Sequence, residues 1–99
     1  MKTFLIGTVE NVQPIEQKTN FKLQRFDVVI KEFERDSGQP LPDQVFPVTL
    51  FNKKIESFFL DNKVGKRVKV DCYLKSMPQE SQGKVFHNIA LNGHSITVL

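Results

Sequence analysis

Polar and apolar residues alternate along most of this chain, and a period of two throws successive side chains onto opposite faces of a strand. The first such run spans Phe4 to Val12 and contains Gly7, where a glycine marks a bend or bulge. Pro14 ends it, and the polar stretch Glu16 to Asn20 reads as a turn. In the second run, Lys22 to Phe33, one face carries Phe26, Val28 and Ile30; the other carries Arg25, Asp27, Val29, Lys31 and Phe33. The Gly- and Pro-bearing stretch from Glu34 to Asp43 is a loop. A third run, Gln44 to Phe51, sets Phe46, Val48 and Leu50 against Val45, Pro47, Thr49 and Phe51. Pro47 cannot donate to a ladder, so the strand there is an edge or is bulged.

At Asn52 the period changes. Asn52 is a favourable N-cap, and Ile55, Phe58 and Phe59 fall at i, i+3 and i+4, the apolar face of a short helix ending near Asp61-Asn62. Val64-Gly65 then turns into a fourth strand, Lys66 to Ser76. Its alternation is the cleanest in the chain. Val68, Val70, Cys72 and Leu74 point inward, against Arg67, Lys69, Asp71, Tyr73 and Lys75 outward. Met77 to Lys84 reads as a hairpin loop. The last strand runs from Val85 to about Leu91 and resumes at Ile96 to Leu99 after a turn at Asn92-Gly93.

Three strands, a short helix and two strands is the order of an all-β, five-stranded OB-fold Greek-key barrel with its helix between strands three and four, and the pattern alone is also compatible with other small barrels. A chain of 99 residues has room for one such domain, residues 1–99, and one modest core. The N-terminus meets Gly7 and then charge too soon for a signal peptide, and no apolar run approaches membrane-spanning length. The single cysteine, Cys72, excludes an internal disulfide and a cysteine-cluster metal site. Placed on an apolar stripe, it reads as a buried, inert thiol. A cytoplasmic location is expected.

The composition adds two facts. Nine Phe exceed the evident needs of so small a core, with one Tyr and no Trp beside them. A net charge of +3 is a mild bias toward a polyanionic partner. That charge is concentrated: between residues 63 and 75, Lys63, Lys66, Arg67, Lys69 and Lys75 stand against Asp71 alone. Nothing in the chain suggests catalysis. Ser57, Ser76, Ser81, Ser95, His87 and His94 lie in no nucleophile motif, and there is no phosphate loop, carboxylate pair or metal-binding spacing. No cofactor, metal or small-molecule substrate is expected.

Single-stranded nucleic acid requires cations along its backbone and aromatic faces on which bases stack. The outward positions of the fourth strand supply Arg67, Lys69, Tyr73 and Lys75. The second strand, taken as its neighbour, adds Arg25 and Lys31, and Phe51 and Phe33 share that parity. Lys53 and Lys54 open the helix where the macrodipole disfavours cations; a phosphate contact explains that placement, but coincidence explains it better, because helix starts often tolerate Lys. Glu32, Glu34, Asp36 and Asp43 make the second loop a poor place for phosphate. A solvated sheet face, or a face that pairs with a protein partner or a second copy, explains the same outward residues. DNA and RNA are not distinguished.

Val48-Thr49-Leu50-Phe51-Asn52-Lys53 followed by Ile55 resembles the strand, Leu-Phe-Gly-Lys, helix signature of bacterial single-stranded DNA-binding proteins (SSB). Val64-Gly65-Lys66-Arg67-Val68-Lys69-Val70 is similar to their lead into strand four, and Gly7-x-Val9, Leu74-Lys75-Ser76 and Asn92-Gly93 match in order. More distantly, the chain resembles the primosomal PriB, a basic OB dimer. The resemblance implies a homodimer or homotetramer that wraps single-stranded DNA over its sheet in replication, recombination or repair. By position it implies Phe51 as a stacking aromatic and Lys53 and Lys75 as basic contacts. Where the family carries Trp, this chain has Val45 and, shortly after strand four, Gln79 or a neighbour. The family's acidic-tipped tail is not expected, because Leu99 closes the last strand.

Overall fold

The strands pair around a closed circuit. A computed structural model describes all residues, Met1–Leu99. Its elements are β1 (Lys2–Glu10), the two-residue β2 (Glu16–Gln17), β3 (Lys22–Ile30) and β4 (Gln44–Phe51). They continue with α1 (Lys53–Phe58), a 3-10 turn (Leu60–Asn62), β5 (Arg67–Ser81) and β6 (Lys84–Val98). The sheet runs β1-β5-β6-β4-β3-β2, and β1 pairs a second time with β3, which closes the ring. All pairings are antiparallel except that of β4 with β6, through Val48–Leu91 and Thr49–Asn92. The five long strands and the helix between β4 and β5 are the architecture expected of an OB fold. No helix is long and apolar enough to cross a membrane.

The inward residues of each strand meet in one core. Val9, Phe26, Val28, Val48, Leu50, Val68, Val70 and Cys72 are buried in it. Each fully buried large side chain among them contributes about 1.5–3 kcal/mol relative to exposure. Gly7 sits where β1 leaves β5 for β3, and a Cβ there would come within 2.5 Å of the Val29 carbonyl oxygen. Only a glycine lets the two strands close the ring. Pro47 lies in the part of β4 that pairs with β3 alone, opposite Asp27, so its missing donor is not needed on the other side.

Helix α1 plugs one end of the barrel with Ile55 and Phe58, and Leu60 follows; the Phe58 ring centroid is 6.1 Å from that of Phe26. Two expectations fail here. Asn52 makes no side-chain cap; its φ is 52°, and its Oδ1 instead accepts from the Lys22 backbone N–H at 3.1 Å. Tying β4 to the start of β3 takes precedence over capping. Phe59 is not on the buried face, because it adopts φ 47° and ends the helix, 55% exposed. Lys63 Nζ donates to the Phe58 carbonyl at 2.6 Å and the Phe59 carbonyl at 3.2 Å, satisfying acceptors that the helix end leaves free.

Three other segments depart from the sequence reading. Glu16–Gln17, expected as turn, pairs with Leu23 and Lys22 of β3. Met77 to Lys84 is no loop: β5 and β6 continue as a two-stranded ribbon to a tight turn at Gln82 and Gly83, whose φ values of 52° and 76° fit a type I′ hairpin. Asn92-Gly93 is not a turn but lies within β6. A Cβ on Gly93 would meet Leu50 Cδ2 at 2.5 Å and Phe58 Cζ at 2.9 Å, so the glycine serves the close approach of β6 to the core. The register shifts beside it, at Asp71/Cys72, and leaves His94 as the extra residue of a bulge.

Candidate nucleic-acid interface

Parity on each strand was readable from the sequence, but neighbourhood was not. Barrel closure puts β1 between β3 and β5 on one side and β4 and β6 on the other. The second and fourth predicted strands are therefore not adjacent, and their outward residues do not form one patch. Following the register shows which residues do share a row. Arg25 pairs with Thr49, Thr49 with Asn92, Asn92 with Tyr73, and Tyr73 with Lys2. Directly paired residues project to the same side of a sheet. Arg25, Thr49, Asn92, Tyr73 and Lys2 thus make a belt across five strands on the barrel's outside, roughly 19 Å long at about 4.8 Å per strand.

Aromatic rings flank this belt. Phe51, two residues beyond Thr49, has its ring centroid 5.9 Å from that of Phe21 in a tilted pair. Tyr73 has His94 edge-on at 5.2 Å and Lys2 Nζ 5.7 Å from its ring centroid. Beside the Arg25 end lies an open groove of about 820 Å³ between the outer face of β3 and β4 and the root of the ribbon. Phe21, Arg25, Pro47 and Phe51 form one wall, and Met77 and Ile89 approach from the ribbon. The groove is mostly apolar with a cation at its margin, the character of a surface that accepts flat rings on a charged backbone.

The belt's cations are not equally free. Arg25 Nη1 donates to Glu16 Oε2 at 2.8 Å, so the short strand β2 holds a carboxylate over the guanidinium. Lys22 pairs with Glu56, and its ammonium holds that carboxyl below the ordinary range. Lys75 is exposed, one step along β5 from the belt on the outward side, and pairs in register with Ala90 of the groove wall.

The remaining candidates lie elsewhere. Arg67 begins β5, roughly 26 Å from Lys75 by strand rise, and is paired with Thr8. Lys69 Nζ sits 5.0 Å from the centroid of the Phe4 ring, on the outer face of β1 and β5. Lys31 lies past the end of β3, with its Nζ 3.9 Å from Asp43 Oδ2. Phe33 is outside the sheet strands, bridged to Pro40 in the loop, 60% exposed. That loop joins the ends of β3 and β4 remote from Phe51, and Glu34 there accepts from the Ser37 backbone N–H and hydroxyl, which lowers its pKa. Lys53 is exposed as the first residue of α1. Of the nine candidates, then, Arg25, Phe51, Tyr73 and Lys75 gather at the belt, and Lys31, Phe33, Lys53, Arg67 and Lys69 do not.

Seven of the belt and groove residues named above were missed: Phe21, Lys2, Thr49 and Asn92, and Pro47, Met77 and Ile89 of the groove. Phe21 continues the parity of Leu23 and Arg25, and Lys2 that of Phe4 and Ile6, so extending each run by one step back would have reached both. Asn92 was masked by its Asn-Gly pair.

No protein-family model and no characterised sequence matches the chain. Solved structures do match its fold. The mitochondrial single-stranded DNA-binding protein of S. cerevisiae superposes with a TM-score of 0.69 at 16% identity, covering 100% of this chain and 94% of that one. The Plasmodium falciparum SSB in complex with single-stranded DNA gives 0.70 at 17%, covering 99% and 93%. The small single-stranded DNA-binding protein of Streptomyces coelicolor gives 0.64 at 16%, covering 99% and 93%. The chain therefore has the OB fold of the SSB proteins, over its full length.

Proposed function

We propose that this protein is an SSB-like, non-catalytic binder of single-stranded DNA, and that the strand lies across the Arg25–Lys2 belt with bases entering the Phe21–Phe51 groove. The observation that carries the reading is the belt itself: cations at both ends, aromatic rings beside it, and an apolar groove opening next to it. The solved neighbours' names as single-stranded DNA-binding proteins support it. Attraction to phosphates supplies a sequence-independent term, and each stacked base adds about 1–3 kcal/mol. The test is anisotropy of a labelled oligo-dT at low and moderate salt, with duplex DNA of equal length as comparison. Micromolar binding to the single strand that weakens with salt supports the proposal. No binding at low salt defeats it.

A homo-oligomer is part of this reading. Residues 2–7 of β1 pair only with β5, which leaves one strand edge open. Phe4 and Ile6 beside that edge are 56% and 36% exposed. Light scattering after size exclusion tests it, and a monomer at micromolar concentration would refute it.

A further inference from the structure

The belt ends at Lys2, and beside that end the outer surface is hollow. A depression of about 340 Å³ is lined by Lys2, Thr3, Asp71, Cys72, His94 and Ser95. It exists because of the bulge: with the register shifted at Asp71/Cys72, Ser95 stands opposite Asp71, Gly93 opposite Cys72, and His94 is added between them. A regular ladder would have no such extra side chain beside Tyr73. We propose that this hollow is a phosphate subsite for the strand bound along the belt, and that His94 sets its charge. The proposal rests on the single-strand reading above and extends it to a defined contact and its regulation.

The charges that face His94 can be named element by element. From β1 comes Lys2; from β5 come Asp71 and the Tyr73 ring; from β6 itself comes the Ser95 hydroxyl. Asp71 Oδ2 accepts from Ser95 Oγ at 2.9 Å, which leaves the lysine and the imidazole as the groups free to meet an anion. The Cys72 thiol contributes no charge at neutral pH, because burial and then the Asp71 charge push its pKa up to about 11. With a neutral imidazole, Lys2 and Asp71 cancel and the hollow is without net charge. Protonating His94 makes it cationic and turns both ring nitrogens into donors. The same step that gains a charge gains a phosphate ligand, so protonating His94 strengthens binding at this end of the belt.

The test is oligo-dT affinity at pH 8.0 and pH 6.0, each over a series of salt concentrations, for the natural protein, His94→Gln and His87→Gln. His87 lies out on the ribbon, where its Nδ1 is 3.4 Å from Ser76 Oγ, and serves as the control for histidine titration elsewhere. Expected is affinity about 1.4- to 5-fold tighter at the lower pH, the range of an exposed charge contact. The slope of log K against log salt should steepen by about 0.7, the value for one added phosphate on a single strand. His94→Gln should abolish both changes, while His87→Gln keeps them. An unchanged pH response in His94→Gln, or its loss in His87→Gln alone, overturns the subsite. Circular dichroism of each variant confirms that the sheet is intact. If the natural protein binds oligo-dT equally at both pH values, the subsite fails while the binding reading stands. If it binds at neither, the parent reading has failed.

Discussion

Glu16 occupies the position on Arg25 that a phosphate would take, and its removal should therefore tighten binding. The guanidinium and carboxylate are 2.8 Å apart, with side chains 54% and 45% exposed. An ion pair this open contributes about 0.2–1 kcal/mol. If bound DNA must first break that contact, Glu16→Gln should lower the Kd by about 1.4- to 5-fold. Losing a negative charge anywhere near the belt gives some gain, so the informative quantity is the coupling. In an Arg25→Ala background the partner is gone, and Glu16→Gln should recover little of the effect. The assay is oligo-dT anisotropy at one low salt concentration for the four proteins of the cycle. The same substitution should lower the urea-derived stability by no more than the strength of the pair. Equal tightening with and without Arg25 would show that Glu16 acts only through overall charge. No tightening at all would take Arg25 out of the binding path.

Other expectations follow from the same geometry. Arg25→Ala and Tyr73→Ala should each weaken oligo-dT binding by severalfold or more, Tyr73 through a stack of about 1–3 kcal/mol. Lys31→Ala and Arg67→Ala, at the other end of the barrel, should do clearly less, and the reverse ranking would move the site. Gly93→Ala forces a methyl into Leu50 and Phe58, so urea denaturation should show a loss of about 1–3 kcal/mol, and no loss would mean that β6 can retreat. The Cys72 thiol is raised from 9.0 to about 11, so the folded state loses stability as pH climbs through that interval. Urea midpoints from pH 8.5 to 11 should fall more steeply for the natural protein than for Cys72→Ala; parallel profiles would contradict the burial argument.

Much of the fold was legible because strands of a small barrel bury one face only. The alternation that put Val68, Val70 and Cys72 inward and Arg67, Lys69 and Tyr73 outward is reproduced side chain by side chain. Inversions came where local signals carry two meanings. Asn-Gly is the strongest short hairpin signal, yet Gly93 is needed for lack of a Cβ rather than for a turn. Met77-Pro78 looks like a loop, yet the true turn is two residues at the ribbon's tip. The helix face was right for Ile55 and Phe58 and wrong for Phe59, since one left-handed residue ended the helix before the pattern did.

The candidate site was less legible for a different reason. Parity says which way a side chain points, whereas a site also needs to know which strands stand side by side. The closing pair of β1 with β3 and the parallel pair of β4 with β6 join segments far apart in the chain, and no local pattern encodes them. Arg25 and Tyr73 were named for the right chemistry under the wrong adjacency. Lys31 and Arg67 were named by sharing strands with them.

The belt can be observed directly by mapping backbone amide shifts in ¹H–¹⁵N spectra as unlabelled oligo-dT is added. The largest changes should fall on Arg25, Thr49, Phe51, Asn92, Tyr73 and Lys2, with Lys31, Phe33 and Arg67 nearly still. Changes centred on the Lys31–Asp43 loop or on Arg67, with the belt silent, would contradict it.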